Sequence, residues 1–88
     1  MTLLLRNDVS VAHTDHGTVL LDGATGRYWQ LNATASEILR HLVDGTDHDA
    51  LATRLSGTYR IPREKAAEDI AALITRLRTA RLLAEDPA

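Results

Sequence analysis

The sequence has 88 residues, the length of one small domain, and a formal net charge of −2, which argues against general affinity for nucleic acid or anionic membranes. It contains no cysteine, which excludes disulfides, thiolate nucleophiles and zinc–cysteine sites and fits a cytoplasmic protein. Its apolar runs are too short to span a bilayer, so we expect no membrane partner.

Three short strands are predicted in the first third of the chain. Residues 9–13 alternate between apolar and polar types, and residues 18–21 form a second apolar run beyond a turn-forming stretch. Asp22, Gly23 and Gly26 then permit a reversal into a third strand, residues 27–31. Strands joined by short turns usually pair as a meander, so the third strand should lie at a sheet edge with unpaired backbone groups.

Three helices are predicted in the remaining two thirds. Thr34 and Glu37 match a capping box for the first helix, which should end at Gly45. Thr46 or Asp47 should cap a second helix that Gly57 ends. The third and longest helix should run from about Pro62 to Ala80, with an apolar stripe that consists of Ala66, Ile70, Leu73, Ile74 and Leu77.

Three antiparallel strands followed by three helices predict an α+β domain with a winged helix-turn-helix-like architecture. We expect this domain to span residues 1–84, with residues 85–88 as a frayed tail.

No pattern for catalysis or metal binding stands out. His13 ends the first predicted strand and His16 lies in the turn that follows, with no third ligand at a clear spacing, so a polar turn is favoured over a metal site. The serines lie in no nucleophile elbow, and residues 22–26 resemble a hairpin turn more than a phosphate-binding loop. We therefore expect no enzyme activity, metal or cofactor.

The third helix is rich in basic residues, which leaves a winged-helix DNA-binding regulator as an alternative function. Glu64, Glu68 and Asp69 dilute the positive charge in the half of the helix that would face bases, so a solvated helix face is favoured. The basic residues are Arg63, Lys65, Arg76, Arg78 and, just beyond the helix, Arg81.

A peptide-binding groove is the favoured hypothesis. Strand alternation places Arg27, Trp29 and Leu31 on one face of the third strand and Tyr28 and Gln30 on the other. A mixed flank of the third helix lies beside its apolar stripe, and if it faces the strand edge, an extended peptide can enter between them as an added strand. Sequence alone leaves open which of the two aromatic residues would touch the peptide. The flank consists of Asp69, Ala72, Leu73 and Arg76.

An ordered set of short motifs resembles the PqqD-like domains, also called RiPP recognition elements. The set begins with Leu20-Leu21-Asp22, Thr25-Gly26-Arg27-Tyr28-Trp29 and Leu31-Asn32-x-Thr34-Ala35, and it continues through Ala67-x-Asp69-Ile70 to Leu82-Leu83. One departure is Ala80-Arg81-Leu82, where family members often carry glycine before the final apolar pair. The form of the hairpin is most similar to the stand-alone recognition subunit of lasso peptide biosynthesis.

This resemblance implies a non-catalytic adaptor that binds the leader segment of a ribosomal precursor peptide and presents it to a separate cysteine protease subunit. The ATP-dependent cyclase of lasso systems is a further candidate partner, and another peptide-modifying enzyme, such as a radical enzyme, is an alternative recipient. The leader would add to the third strand and pack on the third helix. The implied peptide-binding residues are Arg27, Tyr28, Trp29, Gln30, Leu31, Asp69, Ala72, Leu73, Arg76 and Leu77.

Overall fold

The computed structural model describes residues 3–84, and it confirms the α+β order of three strands followed by three helices. The strands form one antiparallel sheet in the order β1-β2-β3, so β3 is an edge strand, as predicted. The predicted tail, residues 85–88, lies outside the described residues. The elements are β1 (Val9–Thr14), β2 (Gly17–Asp22), β3 (Tyr28–Leu31), α1 (Ala33–Val43), α2 (His48–Tyr59) and α3 (Arg63–Thr79).

The two faces of the sheet have different environments. Leu20 pairs with Trp29 and Thr18 with Leu31, and residues paired across antiparallel strands share a face. Leu20 and Leu31 are buried and Trp29 is half-buried against the core, so this face packs on the helices. Tyr28 lies on the opposite face with 66% of its surface exposed.

The core lies between the inner face of β2 and β3 and the three helices. Most periodic apolar positions of the helices point inward, as the sequence predicts, although Ile74 of the predicted α3 stripe is only half-buried. Helix α1 contacts both β2 and β3. The hydroxyl groups of Thr18 and Ser36 form a hydrogen bond that joins β2 to α1. The buried helix residues are Ile38, Leu39, Leu42, Leu51, Ala52, Leu55, Ala66, Ile70, Leu73 and Leu77.

The start of α1 corrects the predicted capping box. The N-cap residue is Asn32, whose side chain accepts a hydrogen bond from the Ala35 N–H at 2.8 Å. Thr34 already lies inside the helix, and Glu37 instead accepts a 2.6 Å hydrogen bond from the Tyr59 hydroxyl of α2. Because β3 passes directly into α1, the chain leaves the extended conformation two residues earlier than the Thr34 motif indicates.

The end of α2 is also different from the prediction. The helix continues through Gly57 to Tyr59 and stops at Arg60, which adopts the left-handed conformation with φ 54°. The Ser56 hydroxyl donates to the Ile61 carbonyl at 2.6 Å and closes the turn. A glycine costs only about 1 kcal/mol inside a helix, which contacts of the final turn can offset.

The N-terminal segment forms structure that the sequence analysis missed. Leu5 makes an isolated antiparallel bridge with Leu83, and the Arg6 N–H donates to the Leu82 carbonyl at 2.9 Å. The Arg6 side chain reaches the buried Asp22 at the end of β2. These contacts fasten both ends of the described chain beside the hairpin that precedes β3.

Candidate functional site

The outer edge of β3 carries backbone groups that point away from the sheet. The Asp22 N–H donates to the Arg27 carbonyl at 2.8 Å, which fixes the alternation along β3. In an antiparallel pair every second residue bonds the neighbouring strand, so Trp29 and Leu31 bond β2. The N–H and C=O groups of Tyr28 and Gln30 therefore point outward, where a further strand would meet them.

A groove separates this edge from α3. No Cα atom of β3 lies within 8 Å of a Cα atom of α3. The Arg76 side chain spans the gap, and its Nη2 donates to the Gln30 carbonyl at 3.4 Å. No strand occupies the position about 4.8 Å beyond β3 in the part of the chain that the structure describes, so the outer edge of β3 is open to a further strand.

The floor of the groove is a cleft of about 340 Å³ between the start of α1 and α3. Four residues of the predicted helix flank meet there, together with α1 residues that the sequence analysis did not assign to the site. Ala72 is exposed, and its short side chain keeps the cleft wide. The lining residues are Asn32, Thr34, Ala35, Ile38, Asp69, Ala72, Leu73 and Arg76.

The α1 residues were missed because their part in the groove depends on how α1 packs against α3. Ala35 and Ile38 carry the apolar spacing of an ordinary core helix. One feature of the sequence could have indicated these residues. Only Asn32 separates β3 from α1, so the start of α1 must lie next to the end of the edge strand.

The predicted strand and helix residues differ in how accessible they are. Arg27, Tyr28 and Gln30 are exposed. Leu31 and Leu77 are 4% and 2% exposed and belong to the core, so they support the groove from beneath. Trp29 is half-buried on the helix-facing side of β3, whereas Tyr28 is exposed on the opposite face of the sheet.

Two charged residues mark the helical wall of the groove. The Asp69 carboxylate accepts a 3.0 Å hydrogen bond from Lys65 Nζ, one helical turn earlier, and this bond raises the pKa of Lys65. Arg76 lies two turns after Asp69 and forms no ion pair with any residue between 3 and 84. On this wall the negative charge of Asp69 is therefore balanced by Lys65, whereas the positive charge of Arg76 has no partner among residues 3–84.

The histidines considered for metal binding and the basic residues considered for nucleic-acid binding lie outside the cleft between α1 and α3, except for Arg76. His13 Nδ1 lies 3.1 Å from the Thr18 hydroxyl, beside the predicted turn between β1 and β2. Within residues 3–84, no three histidine or acidic side chains form a metal-binding group. At the start of α3, Arg63 pairs with Asp49 at 3.3 Å. No helix in the described part of the chain is long and apolar enough to cross a membrane.

Two solved structures share this fold along almost the whole chain. "Lasso peptide synthetase B1 complexed with the leader peptide" is 44% identical with a TM-score of 0.89, and the match covers 97% of this chain and 100% of that one. "TbiB1 in Complex with the TbiA(beta) Leader Peptide" is 26% identical with a TM-score of 0.81, and the match covers 97% of this chain and 99% of that one. No curated protein matches the chain significantly.

The family comparison covers most of the fold described above. The sequence-family model of Coenzyme PQQ synthesis protein D (PqqD) matches residues 17–83, from the first residue of β2 to the segment after α3. This range contains both walls of the groove. The resemblance seen in the sequence motifs is therefore confirmed, and the chain belongs to the PqqD family as a PqqD-like RiPP recognition element.

Proposed function

We propose that this chain is a non-catalytic adaptor that binds the leader segment of a ribosomal precursor peptide, of the lasso class, as a β-strand added to β3. The observation that carries the proposal is the outward-pointing backbone of Tyr28 and Gln30 beside the cleft of α1 and α3. The 44% identical lasso peptide synthetase B1 has a leader peptide as its bound partner, which supports the same ligand class here.

Two kinds of contact would hold the peptide. The N–H and C=O groups of Tyr28 and Gln30 offer strand hydrogen bonds, each worth about 1 kcal/mol net. Alternate peptide side chains would face Trp29 and the cleft, and full burial of one large apolar side chain contributes roughly 1.5–3 kcal/mol. Ordering a disordered peptide commonly costs a few kcal/mol, so the buried side chains would dominate the affinity and set its specificity.

Presentation to a processing enzyme completes the proposed role. The 88 residues contain no cysteine, so a cysteine protease acting in trans is the proposed recipient of the bound leader. The cyclase is a further candidate partner. Both steps would take place in the cytoplasm, where precursor peptides are synthesised.

A titration of ¹⁵N-labelled protein with synthetic peptides tests the binding proposal. The probes are the two leader peptides bound in the related structures, that of lasso peptide synthetase B1 and that of TbiA(beta). We expect the largest amide shifts in residues 27–32 and 69–77. Hydrogen exchange of the Tyr28 and Gln30 amides should slow in the complex, because these groups gain strand partners.

Two results would contradict the proposal. Shifts confined to other surfaces would exclude the groove. Shifts in the groove without added protection of the Tyr28 and Gln30 amides would exclude strand addition while retaining peptide binding. A scrambled peptide of the same composition is the control for non-specific association.

A further inference from the structure

Arg76 occupies a distinctive position in the groove. Its side chain is exposed, crosses the gap from α3, and donates to the Gln30 carbonyl on the edge of β3. It has no carboxylate partner among residues 3–84, whereas Arg63 and Lys65, earlier on the same helix, each have one. Among residues 3–84, the one hydrogen bond of the Arg76 side chain is therefore to a backbone acceptor of the proposed binding edge.

An added strand would compete with Arg76 for this acceptor. The Gln30 carbonyl points outward and belongs to the hydrogen-bonding row that a peptide backbone would use. At 3.4 Å the existing bond is longer than a usual N–H···O hydrogen bond, so its replacement by a strand bond is favourable. Once displaced, the guanidinium would lie between α3 and the peptide without a hydrogen-bond partner.

A carboxylate on the peptide is the group that best matches the displaced guanidinium. Arginine remains charged at all working pH values and binds carboxylates through two parallel hydrogen bonds. The nearest acid on the same wall, Asp69, lies about 10 Å away along the helix axis and is bonded to Lys65. A peptide carboxylate would thus supply the counterion that Arg76 does not find among residues 3–84.

We propose that Arg76 covers the Gln30 carbonyl in the free protein and transfers to an acidic side chain on the helix-facing side of the bound peptide. The groove would then select leader segments that place an aspartate or glutamate beside Gln30. This inference rests on the proposed function, since it concerns the specificity of the same groove.

A double-mutant cycle measures the pairing directly. Arg76→Gln and Arg76→Lys would be titrated by calorimetry with the two leader peptides named above, each also prepared with single acid-to-amide replacements. Arg78→Gln is the matched control, because it removes the same charge from α3 at a residue that lines a different cleft. We expect one acid-to-amide replacement to weaken binding to the wild-type protein about fivefold and to have no effect on Arg76→Gln. Arg78→Gln should behave as the wild type, and Arg76→Lys should retain part of the dependence.

A separate NMR measurement tests the contact between Arg76 and the Gln30 carbonyl in the free protein. Arg76→Gln should shift the ¹³C resonance of the Gln30 carbonyl, and Arg78→Gln should not. An unchanged resonance would overturn the covering contact, and equal sensitivity of the wild type and Arg76→Gln to every acid replacement would overturn the pairing. If neither leader peptide binds the wild-type protein, the proposed function fails and this inference fails with it, whereas binding without charge coupling leaves that function intact.

Discussion

Arg6 and Asp22 join the N-terminal segment to the hairpin that precedes β3. Arg6 Nη2 donates to Asp22 Oδ1 at 2.5 Å, and the Asp22 side chain is only 3% exposed. The Ala24 N–H donates to the same carboxylate oxygen at 2.9 Å. Arg6 Nε lies 3.3 Å from Asp8 Oδ1 but outside hydrogen-bond geometry. Asp22 thus connects the N-terminal segment to the turn between β2 and β3.

The first prediction concerns the dependence of stability on pH. The Ala24 N–H, followed by the charge of Arg6, holds the pKa of Asp22 below its usual value of 3.8. Stability from the ionised carboxylate is therefore fully present above the unfolded pKa and is lost as pH falls through the lower folded pKa. Asp22→Asn should lower the thermal midpoint near pH 7 by several degrees and flatten the acid slope below about pH 4.

Asp8→Asn is the matched control for this prediction. Asp8 faces the same guanidinium, but its side chain is 50% exposed and solvent screens the interaction. Its thermal midpoint near pH 7 should stay close to that of the wild type. A larger loss in Asp8→Asn than in Asp22→Asn would show that the buried carboxylate does not hold the hairpin.

The second prediction contrasts two glycines. Gly17 has φ +150°, and a Cβ there would lie 1.9 Å from the Leu31 carbonyl oxygen, whereas a Cβ at Gly57 would meet nothing within 4 Å. Gly17→Ala should lower the free energy of unfolding by about 2 kcal/mol or more. Gly57→Ala should raise it by about 0.5–1 kcal/mol, since alanine favours a helix interior. Urea denaturation measures both, and equal effects would refute the close approach at Gly17.

The third prediction tests the width of the groove. Ala72 lines the cleft between α1 and α3, while the neighbouring Ala71 is exposed on a different cleft. Ala72→Trp should fill the groove and weaken binding of the TbiA(beta) leader at least about tenfold, a loss of about 1.4 kcal/mol. Ala71→Trp makes the same change outside the groove and should bind as the wild type. Calorimetry measures the affinity of each variant for the peptide, and circular dichroism checks that each variant is folded. Equal binding by the two variants would rule out the groove as the binding site.

The fourth prediction tests the N-cap of α1. Because the Asn32 side chain accepts the Ala35 N–H, Asn32→Ala should lower the free energy of unfolding by about 1 kcal/mol. Thr34 lies inside the helix, so Thr34→Ala should cost less. Urea denaturation of both variants compares the two positions, and a greater loss at Thr34 would restore the capping-box assignment.

The fifth prediction concerns Arg81, in the segment 80–82 where this sequence lacks the glycine that the family resemblance leads us to expect. Arg81 has φ 59°, a left-handed conformation that disfavours residues with a Cβ. Arg81→Gly should therefore raise the free energy of unfolding by about 1 kcal/mol. The matched change Arg78→Gly, inside α3, should lower it by a similar amount. Stability measured by urea denaturation should thus move in opposite directions, and a loss at both positions would contradict the prediction.

The sequence by itself determined the number, type and order of the elements. The apolar face of each element can be read from neighbouring residues alone. Residues 9–13 and 27–31 alternate as strands do, and the second part of the chain repeats its apolar residues at helical spacing. Because β3 follows β2 through a short turn, its edge position was also predictable. The sequence therefore placed the aromatic segment, residues 27–31, on an edge strand before any tertiary contact was known.

Only the tertiary structure decided how these elements meet. Arg76 reaches the carbonyl of Gln30, 46 positions earlier, and Arg6 reaches Asp22, 16 positions later. The α1 wall of the cleft, the choice of Asn32 over Thr34 as cap and the passage of α2 through Gly57 also depend on packing. Such outcomes are set by which distant side chains become neighbours, and local spacing carries no information about that.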